Sequence, residues 1–397
     1  MRAMEPTNPI AAASHPNPYP YYHSLLEGPP LYFDDEIRMW VAAHASSVAQ
    51  VFADRSCRVR PVAEPVPAAL DGRAAGEIFR RLVRMNDEDL HDQPKLVLQR
   101  ALSSLPAPVI DSQATAIAEQ LLPATLDAQA LTAWVYETPV AVVADLIGFP
   151  THERSAIARD VREFVACLSA LSTPEQLDDA SAAAQRLLSR LSDTLACLQP
   201  KSANLASQIL ADAQSVGWID QDAIVANLVG LLSQTYEATA GLIGNSIVAL
   251  ASHPGLWDEV RSRVDGWQQL VQETSRYEPP VQNTRRFVVE PTTVLDTDLQ
   301  PGAAVLLVLA VANRDPSVNP DPRRFLLDRP NRCTFTFSRG PHACPGEAIA
   351  RIIAASALST LDRRLDNATL ARLTWKWSRS PNGRLPLFHD DSTTRTT

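Results

Sequence analysis

Residues 219–251, IDQDAIVANLVGLLSQTYEATAGLIGNSIVALA, constrain the fold of this chain more than any other stretch. They contain three glycines and no proline and are apolar on most sides. At about 1.5 Å per residue, a helix of about thirty residues crosses the body of a large domain. Length and apolarity alone would also allow a membrane span, but Gln234, Glu237 and Asn245 interrupt it. A buried central helix is therefore expected.

Its surroundings repeat the helical pattern. Segments 40–54, 74–85, 131–149, 154–171, 177–197 and 256–277 all have helical apolar spacing, and Ser172 or Thr173 followed by Pro174 predicts a helix start. After the Pro279-Pro280 pair the texture changes: FVVEPTTVLD and AAVLLVLAVANRD read as short strands, with further strand pieces in LARLTWKWS and GRLPLF. The prediction is a mainly α fold with a small β region, arranged as a Pro-rich surface segment over 1–34 and one domain over 35–397. With 397 residues, 45% apolar and 20% charged, the chain can bury a large core.

Bulk charge and cysteine usage exclude some functions. A net charge of -9 argues against nucleic-acid binding, which needs basic surface. Five cysteines, an odd number in a long chain, point to a reducing compartment and not to a disulfide framework. The N-terminus has no long apolar core, so a cytoplasmic protein without membrane anchor or secretory signal is expected.

The stretch FTFSRGPHACPGEAIA, residues 335–350, places a lone Cys344 between glycines and ahead of a helical run. Three roles suit a single cysteine: a buried structural thiol, a nucleophile served by a histidine, or an axial thiolate on heme iron. Zinc and iron–sulfur sites usually need several protein ligands, and no second cysteine stands at the required spacing. Gly340 and Gly346 allow tight turns near the sulfur, and the helix that follows turns its N-terminal end toward it.

The pattern Phe337-x-x-Gly340-x-x-x-Cys344-x-Gly346 resembles the heme-binding loop of the cytochrome P-450 family, the heme-thiolate monooxygenases. Glu273-x-x-Arg276 resembles that family's Glu-x-x-Arg helix, and Asp321-Pro-Arg-Arg324-Phe325 the segment that completes a Glu–Arg–Arg network. The match to the soluble bacterial form extends over residues 313–325. The resemblance implies a single triangular-prism domain with the long helix over the heme. It also implies heme b (iron protoporphyrin IX) with Cys344 as metal ligand, and contacts from Phe337 and Gly346. His91, Lys95, His342 and Arg286, with Arg285 close behind, are the expected heme-binding cations. Lys95 stands where the family carries arginine, which keeps the charge and loses the planar fork.

On the oxygen side the family usually has Ala-Gly, a variable residue, an acid and threonine. Here Gln234, Thr235, Tyr236, Glu237 and Ala238 stand at those positions. An alanine has no hydroxyl to donate. Thr239 follows one residue later, turned away by the helical step. Glu237 is the candidate acid, with Thr235 or Gln234, ordered water or a substrate hydroxyl filling the polar gap.

The resemblance implies hydroxylation or epoxidation of an apolar small molecule, with dioxygen and electrons from a ferredoxin and its NAD(P)H-dependent reductase. The expected docking patch surrounds Arg339 and His342, with Arg100 behind. Phe164 and Asn283 are candidate pocket residues, the protein is expected to be a monomer, and secondary-metabolite tailoring is the expected setting. The alternatives are a heme-thiolate enzyme using peroxide, one catalysing dehydrogenation, coupling or rearrangement without oxygen insertion, and a heme-based gas sensor or carrier.

Overall fold

The computed structural model describes residues 5–169, 171–198, 204–365 and 367–389. The outermost residues of the expected segments 1–34 and 35–397, namely 1–4 and 390–397, lie outside the described residues. The central helix spans Gln221–Ser252. Asp220 caps it, its side chain accepting from the Ala223 amide at 2.9 Å. From Thr239 to Leu250 every residue is buried, as expected of a helix apolar on most sides. Helices Ala128–Ile147, Ala74–Arg81, Gly266–Tyr277 and Glu347–Leu361 pack around it.

The helix with membrane-span character is Ala128–Ile147, not the central one. It is the one described helix long and apolar enough to cross a bilayer, and most of it is buried inside the protein.

Nine strands lie among the described residues: β1 (Leu31–Asp34), β2 (Met39–Ala42), β3 (Cys57–Arg58), β4 (Thr284–Val288), β5 (Thr292–Val294), β6 (Thr297–Leu299), β7 (Ala304–Leu307), β8 (Thr374–Trp377) and β9 (Pro386–His389). A five-stranded sheet runs in the order β1-β2-β7-β4-β3, while β5–β6 and β8–β9 form separate ribbons. Among the described strands only β2 and β7 pair in parallel, which joins the early part of the chain to its last third.

Several boundaries differ from the sequence-based expectation. The segment 40–54 is not one helix: Met39–Ala42 pairs with β1 and β7, and the helix begins only at Ala45. The segment 256–277 breaks into Leu256–Arg261 and Gly266–Tyr277, because Gly266 lies tight against the Val260 carbonyl where the chain turns. At 303–315, β7 ends at Leu307 and a short helix, Leu309–Ala312, follows. The start of Pro174–Ala196 is capped by Thr173, with Gln176 closing the capping box.

The Pro-rich opening is also more than a surface strip. It forms helices Pro9–Ala12 and Tyr19–Glu27 and contributes β1, with Ala12, Ala13 and Tyr22 buried. Buried Arg384, near the end of the chain, donates to the Ala13, His15 and Pro16 carbonyls and pairs with Glu278 at 2.6 Å. This fork ties the two ends of the chain together.

Candidate functional site

The Cys344 loop is held by its own backbone. Buried Phe335 donates its amide to Asn313 Oδ1 at 2.6 Å, Ser338 N donates to Phe335 O at 2.8 Å, and Cys344 N to Phe337 O at 2.8 Å. The chain reverses through Ser338 at φ 60° and Gly340 at φ 66°. At Gly340 a side chain is excluded twice, since a Cβ would stand 2.5 Å from the Phe52 carbonyl oxygen. A 3₁₀ turn, Gly340–His342, then delivers Cys344 just ahead of helix Glu347–Leu361.

Cys344 is exposed within a recess walled by protein. Burial pushes its thiol pKa up, while hydrogen bonds from the Gly346 and Glu347 amides and the charge of Lys95 pull it down. These amides at a helix N-terminus are the groups that would stabilise a thiolate ligand.

Cations gather beside this loop. His91 is buried and its ring centroid lies 4.2 Å from that of His342. His91 Nδ1 meets Asp92 Oδ1 at 2.9 Å, and its Nε2 is buried without a partner. His342 Nε2 meets Asp87 Oδ1 at 2.9 Å, so it faces inward and not toward the expected docking patch. Lys95 Nζ donates to the Ala343 carbonyl, next to the cysteine, and Pro94 is accommodated in the first turn of helix Asp92–Ser103.

Arg286 is buried in β4 over the Phe52 ring, its guanidinium carbon 5.0 Å from the centroid. Burial lowers its pKa to about 10, opposed by Asp87 and Cys57. Its hydrogen bond goes to the neighbouring Arg285 carbonyl, and among the described residues no carboxylate lies within ion-pair distance. A buried cation with no carboxylate at ion-pair distance among the described residues, beside an orphaned imidazole nitrogen, fits the propionates of a heme. Asp87, missed by the sequence reading, shares this cluster. Burial pushes its carboxyl up, but the His342 hydrogen bond and charge, the Val59 amide and Arg286 bring it below the usual range. Arg285 is not brought to the cluster: strand alternation turns it outward and leaves it exposed.

Behind the loop, Glu273 is fully buried. Arg276 donates to it through Nη2 at 2.6 Å, Arg329 through Nε at 3.1 Å and Arg332 through Nε at 2.9 Å. Burial alone would raise the Glu273 pKa, yet the guanidinium bonds and the Leu326 amide hold it below its ordinary value. Arg324 is a correction. Its side chain is exposed, and it supplies only its carbonyl, which accepts from Arg276 at 3.1 Å and Arg329 at 2.7 Å. The loop turns at Asp321, φ 49°, and runs past Arg324 before re-entering, so the inward guanidiniums are Arg329 and Arg332. Four arginines within ten positions left that choice undecided in the sequence.

Across the recess, the central helix presents its polar segment. Gln234 and Glu237 are exposed to the cleft, and Ala238 is half-buried. Gln234 Nε2 donates to the Gly230 carbonyl at 2.9 Å and Thr235 Oγ1 to the Leu231 carbonyl at 2.8 Å, so both candidate replacements for the missing threonine bond back onto their own helix. Thr235 and buried Thr239 line a cavity of about 50 Å³ with Gly346 and Ala350, where the central helix passes the start of the cysteine helix. That space is far below the size of a cofactor site. Burial pushes the Glu237 pKa up and the charge of Arg84 opposes it. Two expected pocket residues face elsewhere: Phe164 is fully buried in the helical core, and Asn283 Nδ2 is engaged by the Pro381 carbonyl at 2.9 Å.

Comparison with known proteins agrees with this arrangement. The family model described as Cytochrome P450 matches residues 178–367. Putative cytochrome P450 123 of Mycobacterium tuberculosis is 28% identical over 367 residues, covering 89% of this chain and 88% of the relative. The vitamin D(3) 25-hydroxylase of Pseudonocardia autotrophica is 30% identical over 258 residues, covering 64% of this chain and 62% of that protein. Among solved structures, CalO2 superposes with a TM-score of 0.82 at 24% identity, over 98% of this chain and 99% of that one. A shared P450 fold, the family match and relatives along most of the chain lead to one conclusion: the chain belongs to the cytochrome P450 family and is a heme b-dependent monooxygenase of that family.

Proposed function

We propose that Cys344 would supply the thiolate that holds a heme iron and that His91, Lys95, His342 and Arg286 would hold the heme propionates, with Phe337 and Gly346 shaping the cysteine loop. When bound, the heme supplies activation of dioxygen and transfer of one oxygen atom to a substrate carbon. The chain's own residues do the rest. The Gly346 and Glu347 amides moderate the sulfur's charge, and the Glu273 network keeps the loop rigid. Glu237 holds and passes a proton on the opposite face. The observation that carries this reading is an accessible Cys344 at a helix N-terminus, beside a buried Arg286 that lacks a carboxylate.

Because Ala238 has no hydroxyl, and Thr235 and Gln234 are engaged by their own backbone, proton delivery passes through Glu237 with ordered water or a substrate hydroxyl. The substrate is a largely apolar small molecule, and tailoring of a secondary metabolite is its setting. Electrons arrive from a ferredoxin and an NAD(P)H-dependent reductase, docking near Arg339 and Arg100, both exposed. The same gap at Ala238 favours a second reading, oxidation by coupling or dehydrogenation without oxygen insertion. CxnD, described as forming a C–S bond in chuangxinmycin biosynthesis, shares the fold at 21% identity and a TM-score of 0.78.

Turnover of the heme-loaded protein with ferredoxin, reductase, NAD(P)H and labelled dioxygen separates the two. One labelled oxygen atom in the product is expected. Oxidised product without label would replace the first reading by the second.

A further inference from the structure

The turn Val83–Met85 is clamped onto the central helix just before its polar segment. Asn227 Oδ1 accepts from the Val83 amide at 2.9 Å, and Asn227 Nδ2 donates to the Arg81 carbonyl at 2.9 Å. A Cβ on Gly230 would stand 2.7 Å from Leu82 Cδ2, so the turn lies directly on the helix there. Asn227, Gly230, Gln234 and Glu237 recur at helical spacing and share one face. The turn is thereby fixed over the face that carries Glu237.

Arg84 sits in the middle of this turn. Its Nε is buried without a partner, and Nη1 reaches only Met85 Sδ at 3.7 Å, a weak acceptor. Among the described residues no carboxylate lies within ion-pair distance of it. Of the two groups whose charge would act on it, burial raises the Cys167 thiol pKa to about 12, which leaves the charge of Glu237. Burial lowers the Arg84 pKa and raises that of Glu237, and the charge of each opposes the shift in the other. Buried donors of this kind are costly until an acceptor arrives. A planar guanidinium is the side chain best shaped to take a carboxylate through two hydrogen bonds.

We propose that Arg84 is a specificity-determining residue of the oxygen-side cleft, receiving a carboxylate on the substrate, and that the substrate class is an apolar molecule carrying one carboxylate. This deepens the proposed function and rests on the cleft between Cys344 and Glu237 being the site of oxidation.

The test is a titration of the heme-loaded ferric protein with dodecanoic acid and with methyl dodecanoate, followed through the Soret band. The acid is expected to bind at least about tenfold tighter than the ester, the scale of a charge-assisted hydrogen bond. Arg84→Gln should bring the two dissociation constants together by weakening the acid alone, and Arg84→Lys should restore part of the difference. An acid-to-ester ratio near one in the wild-type protein overturns the proposal, whatever the variants do. So does a preference that survives Arg84→Gln, or equal weakening of acid and ester. Failure of the underlying reading looks different: the reduced, carbon monoxide-treated wild-type protein would then lack the thiolate signature, independently of the ratio.

Discussion

On the Cys344 side of the cleft, Glu273 has no exposure and both its carboxylate oxygens are engaged by Arg276, Arg329 and Arg332. On the central-helix side, Gln234 and Thr235 bond back onto their own helix, Ala238 carries nothing polar, and Arg84 holds a buried nitrogen without a partner. The first region is closed by its own side chains, which fixes one geometry. The second leaves donors and an acid for something the chain does not supply. A rigid support facing an unsatisfied cleft suits a site whose chemistry is constant and whose ligand is particular.

The contrast can be broken hardest at its closed side. Glu273→Ala leaves three guanidiniums buried without their carboxylate, and a loss of about 3–5 kcal/mol is expected in a denaturant melt. Arg329→Ala should fall in the same range, while Arg324→Ala, which keeps the carbonyl the network uses, should stay within about 0.5 kcal/mol. Equal losses at Arg324 and Arg329 would contradict the arrangement.

Glu273 also sets an acid limit. Its folded pKa is depressed, so its stabilisation is fully present above the unfolded value of about 4.3 and is lost as pH falls through the folded one. Wild-type stability should therefore decline below about pH 4.3, more steeply than that of Glu273→Gln measured by the same melt.

At the open side, Glu237→Gln should lower turnover by about a hundredfold with little change in the melting midpoint, as expected for a proton-handling residue. A midpoint collapse with unchanged turnover per folded molecule would make Glu237 structural. Gly340→Ala tests the loop between them. Its positive φ and the nearby Phe52 carbonyl should cost about 1–3 kcal/mol and reduce heme retention, measured by absorbance after gel filtration.

The central helix, the Cys344 loop and the Glu273–Arg276 spacing were legible in the sequence because each is a local pattern. Residues 221–252 are apolar on most sides, and the glycines flank the cysteine at fixed offsets. The selection of Arg329 and Arg332 over Arg324 was not, since it depends on how a loop re-enters the protein. Met39–Ala42 hid inside a helical pattern because its partner, β7, lies far along the chain. Arg84 and Asp87 gave no signal of their own: a charged residue in a loop reads as solvated until packing shows what surrounds it.

The most direct measurement is the absorbance difference spectrum of the heme-loaded, reduced protein before and after carbon monoxide. It should be compared between the wild type and Cys344→Ala. The red-shifted Soret band that marks a cysteine thiolate opposite carbon monoxide is predicted in the wild type and absent from the variant. A variant that loads heme and keeps that band would show that Cys344 is not the ligand.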